Sequence, residues 1–211
     1  MASTRQLRIL AFGASLTEGY YNDGLQFHPY THRLSELLGS LFNTIDIHNA
    51  GVSGEAVLSS TMLPRLKQLL SSASVNQFDW VLILAGTNDT IRDQQKASVV
   101  FKTYKLLIDE CHKHGARVLV MTLPETIYPR EFPFDVQRQE FNRLLKEELK
   151  PTNNDKINPN IVVLDVDRLL PRHSLSANES RQIWTDELHF TPQGYDRLGE
   201  FIFEALKPFL S

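Results

Sequence analysis

A single cysteine, Cys111, leaves this chain without an internal disulfide, and nothing in it demands an oxidising compartment. No apolar run approaches the roughly 20 residues that a membrane-spanning helix needs, so no membrane span is expected. The start, Met1-Ala2-Ser3-Thr4-Arg5-Gln6, leads straight into a strand pattern and lacks the apolar stretch of a secretory signal. A cytoplasmic location is therefore the default expectation. Charge of one sign is missing too. The chain carries 22 basic and 25 acidic residues, a formal net charge of −3 with no block of like charge. That balance argues against nucleic acid or an anionic membrane as the main partner. Repeats, low-complexity tracts and linkers are absent, and 211 residues suit one sizeable unit, so the chain reads as a single domain spanning 1–211.

What is present is hydrophobic patterning, 42% of the residues. Five short apolar runs predict strands at Leu7–Phe12, Thr44–Asn49, Asp79–Ala85, Arg117–Thr122 and Ile161–Val166. Near-continuous stretches such as Val81-Leu82-Ile83-Leu84 and Val118-Leu119-Val120-Met121 suit strands buried on both faces of a parallel sheet. Helical periodicity predicts helices near 30–41, 56–72, 95–114, 136–149 and 192–208. The third ends at His114-Gly115, a left-handed cap signal, and the last has Thr191 to cap it and Pro192 in its first turn. Alternating strands and helices imply a three-layer α/β/α sandwich. The longest irregular stretches are 18–29 and 123–135.

In an open parallel sheet, ligands bind beyond the carboxyl ends of the strands. Ser15 follows the first strand, Gly51-Val52-Ser53-Gly54 the second, and Gly86-Thr87-Asn88-Asp89 the third; Asp186 and His189 lie on the loop entering the last helix. Packing that helix in the layer of the first strand's helix brings its loop to the same sheet edge. The residue types then match acyl transfer. A serine hydroxyl is a weak nucleophile until a base takes its proton, an imidazole titrates in the right range, and a carboxylate fixes the imidazole's tautomer. Ser15, His189 and Asp186 are the candidates for those roles. The backbone N–H groups of Ser15 and Gly54 and the Asn88 amide are candidate donors to the oxyanion.

Gly13-Ala14-Ser15-Leu16, Gly54 within Asn49-Ala50-Gly51-Val52-Ser53-Gly54, Gly86-Thr87-Asn88-Asp89 and Asp186-Glu187-Leu188-His189 resemble, in order, the four signature blocks of the SGNH hydrolase superfamily, the GDSL esterases and lipases. The resemblance covers essentially the whole chain. It implies a flavodoxin-like sheet of five parallel strands, hydrolysis of carboxylic esters, no cofactor and no metal, with a small-molecule ester as partner. It also implies the roles just given for Ser15, Gly54, Asn88, Asp186 and His189. The family usually has aspartate where this chain has Ala14, which removes a hydrogen-bonding side chain from the nucleophile turn; Thr17 or a backbone group is expected to replace it. The same residues would serve a carbohydrate O-deacetylase or an acyltransferase. The alternative from another class is an inactive flavodoxin-like binding module, which a missing triad member would have favoured; none is missing.

Other residues are read structurally. His28, His32 and Glu36 have metal-like spacing, but as surface polar residues they need no ion. His112 and His114 suit a helix carboxyl end. Tyr20, Tyr21, Leu25 and Phe27, after the candidate nucleophile turn, either line an acyl or alcohol pocket or pack as a loop, and Ile127–Phe134 either forms a lid or wall of the pocket or does not. Trp184 reads as a packing anchor for the Asp186 loop. The first β-α turn, Gly13 to Gly19, lacks both G-x-G-x-x-G spacing and a phosphate-loop lysine.

Overall fold

The computed structural model describes residues 6–72, 77–149 and 160–210; Met1–Arg5, ahead of the first strand, lie outside them. Strands β1 (Gln6–Gly13), β2 (Thr44–Gly51), β3 (Trp80–Leu84), β4 (Arg117–Met121) and β5 (Ile161–Leu164) form one parallel sheet in the order β2-β1-β3-β4-β5. The three middle strands are the most buried, and every residue of β3 is buried. The edge strand β2 carries Asp46 and His48 and stays half-exposed, with Arg8 Nε donating to the Asp46 carboxylate at 2.9 Å. β1 reverses the strand order, so the carboxyl ends of β1 and β3 meet at the switch point where such sheets bind ligands. Gly13 and Leu84 pair there, and a Cβ on Gly13 would lie 2.1 Å from the Leu84 carbonyl oxygen. Only glycine fits.

The larger helices are α2 (Thr31–Leu38), α3 (Met62–Ser72), α4 (Ala97–Lys113), α5 (Pro133–Glu148) and α8 (Pro192–Leu206), with short ones at α1 (Ser15–Glu18), α6 (Val166–Leu169) and α7 (Ala177–Ile183). They flank the sheet in two groups, α2 with α7 and α8, and α3 with α4 and α5. The expected pairing of the last helix with the helix after β1 is thus observed. Thr191 caps α8 by accepting from Gly194 N at 3.1 Å, and Tyr195, Leu198 and Ile202 are fully buried on its inner face. Gly115, with φ 76°, closes α4 as its sequence implies. Cys111 is buried inside α4, and burial pushes its thiol up to about 12.

Three expectations change. The helix expected over 56–72 begins at Met62, because the backbone before it is claimed by a side chain of the site. The helix expected from 136 starts at Pro133, whose missing N–H costs nothing in a first turn. The stretch 18–29 is not wholly irregular: Tyr20–Tyr21 pairs antiparallel with Gln26–Phe27.

Candidate active site

The turn that carries Ser15 leaves β1 at Gly13 and enters α1 at once. Ala14 is buried, and its carbonyl accepts from Thr17 N and Glu18 N, both at 3.0 Å, while the Ser15 carbonyl accepts from Gly19 N at 2.9 Å. These backbone bonds close the turn without a side-chain contribution from position 14. Thr17 is fully buried beneath Gly13 rather than bonded to Ser15. Outside help comes from β2, where Asn49 Nδ2 donates to the Thr17 carbonyl at 2.8 Å and Asn49 Oδ1 accepts from Gly51 N at 2.9 Å. The Arg65 guanidinium lies 4.3 Å over the Phe12 ring, donates to the Ala50 carbonyl at 2.7 Å and pairs with buried Glu55.

The opposing loop closes on itself. Trp184 bridges Phe190, Thr185 N donates to the His189 carbonyl at 3.0 Å, and Thr191 N to the Ile183 carbonyl at 2.9 Å. Trp184 is buried against Phe190, ring centroids 4.5 Å apart, the anchor its sequence position suggests. Within the loop, Asp186 Oδ1 accepts from Leu188 N at 2.8 Å and His189 N at 2.7 Å, an Asx turn that aims its second oxygen at the imidazole.

The two ends of the chain meet here. His189 Nδ1 and Asp186 Oδ2 are 2.9 Å apart, and His189 Nε2 and Ser15 Oγ are also 2.9 Å apart. Burial acts to raise the Asp186 carboxyl, but hydrogen bonds from the His189 ring and from two backbone N–H groups outweigh it and hold it at about 2. A carboxylate so acidic carries no proton at neutral pH. Nδ1 of a neutral imidazole must then hold the hydrogen, and the Nε2 lone pair faces the Ser15 hydroxyl. The arrangement can take a proton from Oγ as the oxygen forms a new bond.

Asn88 opens a wide turn, Asn88–Arg92, in which Asp93 N reaches back to the Asn88 carbonyl at 2.9 Å. Such turns recur at functional sites. Asn88 Nδ2 donates to the Glu55 carbonyl at 2.9 Å, which ties it to the residue after Gly54. Gly54 has φ 79°, and its carbonyl accepts from Arg92 at 2.8 Å. Among the described residues, no hydrogen bond within the chain occupies the backbone N–H of Ser15 or Gly54. Asp89, fully buried, accepts from Val57 N at 2.7 Å and Leu58 N at 2.9 Å. Burial raises its carboxyl pKa, and those N–H groups oppose the rise. This carboxylate holds 55–58 out of α3.

Exposed apolar side chains stand on the segments next to Ser15, Asp186 and His189. Leu25 and Phe27 stand on the segment after the turn that carries Ser15, and Tyr21 packs against the core. Ile127 and Tyr128 lie on a loop whose Ile127 N donates to the Glu187 carbonyl at 2.9 Å. Beside Gly54 a hollow of about 610 Å³ is lined by Ser53, Ser59, Thr61, Arg92, Asp93 and Gln95, among others. His28 stands apart, 2.7 Å from Asp196 and edge-on to His32, and His114 lies 3.5 Å from Glu110. Among the described residues, no group of three His, Cys, Asp or Glu is arranged to hold a metal ion.

Sequence pattern does not single out Asn49, Arg65 and Asp89, because each bonds backbone groups of a distant segment, nor Glu55, whose carboxylate pairs with the Arg65 and Thr61 side chains. Two signals were available: Asn49 opens the Gly54 block and Glu55 follows it, and Asp89 follows Asn88 directly.

Residues 11–197 match the model of the GDSL-like Lipase/Acylhydrolase family, and the chain belongs to that family. It is a carboxylic ester hydrolase of the GDSL type. No curated protein matches it. Among solved structures it is similar to the lipase/acylhydrolase from Enterococcus faecalis, with TM-score 0.74 and 20% identity over 97% of each chain. It is also similar to the Clostridium thermocellum family 3 carbohydrate esterase, with TM-score 0.73 and 16% identity over 98% of each chain. A third likeness is to Est24, a carbohydrate acetylesterase from Sinorhizobium meliloti, with TM-score 0.69 and 19% identity over 96% of this chain and 99% of that one. These likenesses establish the fold: an α/β architecture around five parallel strands. No helix among the described residues is long and apolar enough to cross a membrane.

Proposed function

We propose that the chain, as one domain, hydrolyses small to medium carboxylic esters through an acyl-Ser15 intermediate. The observation that carries this reading is the unbroken hydrogen-bonded line from Ser15 Oγ through His189 to Asp186. Ser15 Oγ attacks the ester carbonyl carbon while its proton passes to His189 Nε2, and Asp186 stabilises the resulting imidazolium. The negative charge on the carbonyl oxygen is taken by the Ser15 and Gly54 N–H groups and the Asn88 amide, each worth about 100- to 1000-fold in turnover. Collapse breaks the ester C–O bond, and Nε2 returns the proton to the departing alcohol. Water then repeats the sequence on the acyl-enzyme, releasing the acid and free Ser15.

Leu25, Phe27, Ile127 and Tyr128 offer apolar contact without enclosing a long chain, which supports the limit on acyl size. The hydroxyl- and guanidinium-lined hollow beside Gly54 favours a second reading, in which the alcohol is a sugar and the acyl group acetyl. Two of the structural relatives are described as carbohydrate esterases. A p-nitrophenyl ester series tests the size limit: rates should peak at short acyl chains, and a steady climb beyond about eight carbons, each added CH₂ still gaining burial, would refute it. Acetate release from an acetylated oligosaccharide at rates above those for the p-nitrophenyl ester selects the second reading. Product analysis with added alcohol separates hydrolysis from acyl transfer.

A further inference from the structure

One side chain outside the hydrogen-bonded line lies against it. The ring of Tyr20 sits with its centroid 4.5 Å from that of His189, the planes tilted by 39°. Three features fix it there. The Tyr20 carbonyl accepts from the Tyr195 hydroxyl at 2.8 Å, and Tyr195 is fully buried in α8. Phe27, its partner in the small hairpin, meets the ring edge-on at 6.1 Å and 84°. Gly24 backs the ring from the hairpin tip, with φ 78°; a Cβ there would lie 2.7 Å from Tyr20 Cε2. The hydroxyl of Tyr20, by contrast, makes no hydrogen bond among the described residues. The fold positions the ring, not the phenol.

When His189 takes the Ser15 proton it becomes a cation, held by Asp186 at Nδ1 and faced by the Tyr20 ring. A cation within about 6 Å of an aromatic centroid is drawn to the negative π face. Neutral imidazole feels that attraction far less, so the contact strengthens as the transition state forms and lowers the barrier. We propose that Tyr20 is a positioning residue that holds His189 toward Ser15 and stabilises the imidazolium through its ring. This rests on the reading of His189 as the general base.

The experiment compares Tyr20→Phe, Tyr20→Leu and a series in which position 20 carries phenylalanine with increasing ring fluorination. Fluorine preserves the ring's shape and packing but drains its π face. Tyr20→Phe should keep kcat within about two-fold, while Tyr20→Leu should lose about five- to ten-fold in kcat with little change in KM. Turnover should fall stepwise along the fluorinated series. Pentafluorophenylalanine as active as phenylalanine would overturn the proposal, since a merely structural ring would tolerate it. Ser15→Ala and His189→Ala run alongside. If either keeps wild-type turnover, the underlying triad reading fails and takes the inference with it. If both abolish turnover while fluorination has no effect, only the role of Tyr20 falls.

Discussion

Asp186 shows how much one side chain settles. Its Oδ1 accepts two backbone N–H groups that shape its own loop, and Oδ2 fixes the tautomer of His189. Asp186→Asn keeps the volume but offers an amide in place of that oxygen, so the imidazole loses its fixed tautomer. Turnover of an ester at neutral pH should fall by about 10⁴-fold. The same residue leaves a mark on stability. Its carboxyl is lowered from 3.8 unfolded to about 2 folded, so its contribution is fully present above about pH 4. That contribution is lost as pH falls toward 2. Melting temperature measured against pH should therefore drop less steeply across this window in Asp186→Asn than in the parent. Parallel curves would contradict the assignment. That Ser15, Asp186 and His189 come together was legible in the sequence, because they sit in recognisable blocks. The contacts of Asn49 and Arg65 were not legible, since a side chain that bonds a distant backbone carbonyl makes no local pattern, and those of Glu55 were not because its carboxylate pairs with Arg65 and Thr61 only in the folded loop.

Among the elements, the turn Asn88–Arg92 and the loop before α3 behave as one piece, joined by Asp89. Periodicity alone extends α3 back to residue 56, because Ala56, Val57 and Leu58 continue its apolar pattern. Two of the N–H groups there instead bond the buried carboxylate. Tertiary hydrogen bonding has overridden local propensity. Asp89→Ala strands two N–H groups in a protein interior and should cost about 2–4 kcal/mol of stability. It should also lower kcat by about 100-fold or more, because Gly54 and Asn88 lose their common tether. A variant melting lower but turning over normally would separate the loop from catalysis. Other elements hid for different reasons. Two-residue strands such as Tyr20–Tyr21 are too short for a period to show. α7 did announce itself, through the Ser176 and Glu179 capping box, a spacing that went unread in a stretch without a strong apolar face.

Across the whole molecule, the five strands and the large helices follow from hydrophobic runs, and apart from the start of α3 their positions were legible to within a few residues. Strand order was not readable from pattern, because pairing partners are chosen by packing between segments. The site depends on that order. β1 at the switch point delivers Ser15, and α8, packed beside α2, returns His189 to within 2.9 Å of it across 174 residues of chain. Arg138, fully buried between Asp135 and Asp167, pins the start of α5 to the end of β4 through the Leu123 carbonyl. Whether Ser15 is the nucleophile, as proposed, is decided by p-nitrophenyl acetate hydrolysis with the parent protein and Ser15→Ala, both folded at the assay temperature. Turnover lost in the variant, with fluorophosphonate labelling of the parent alone, is the expected result; equal turnover in both proteins would contradict it.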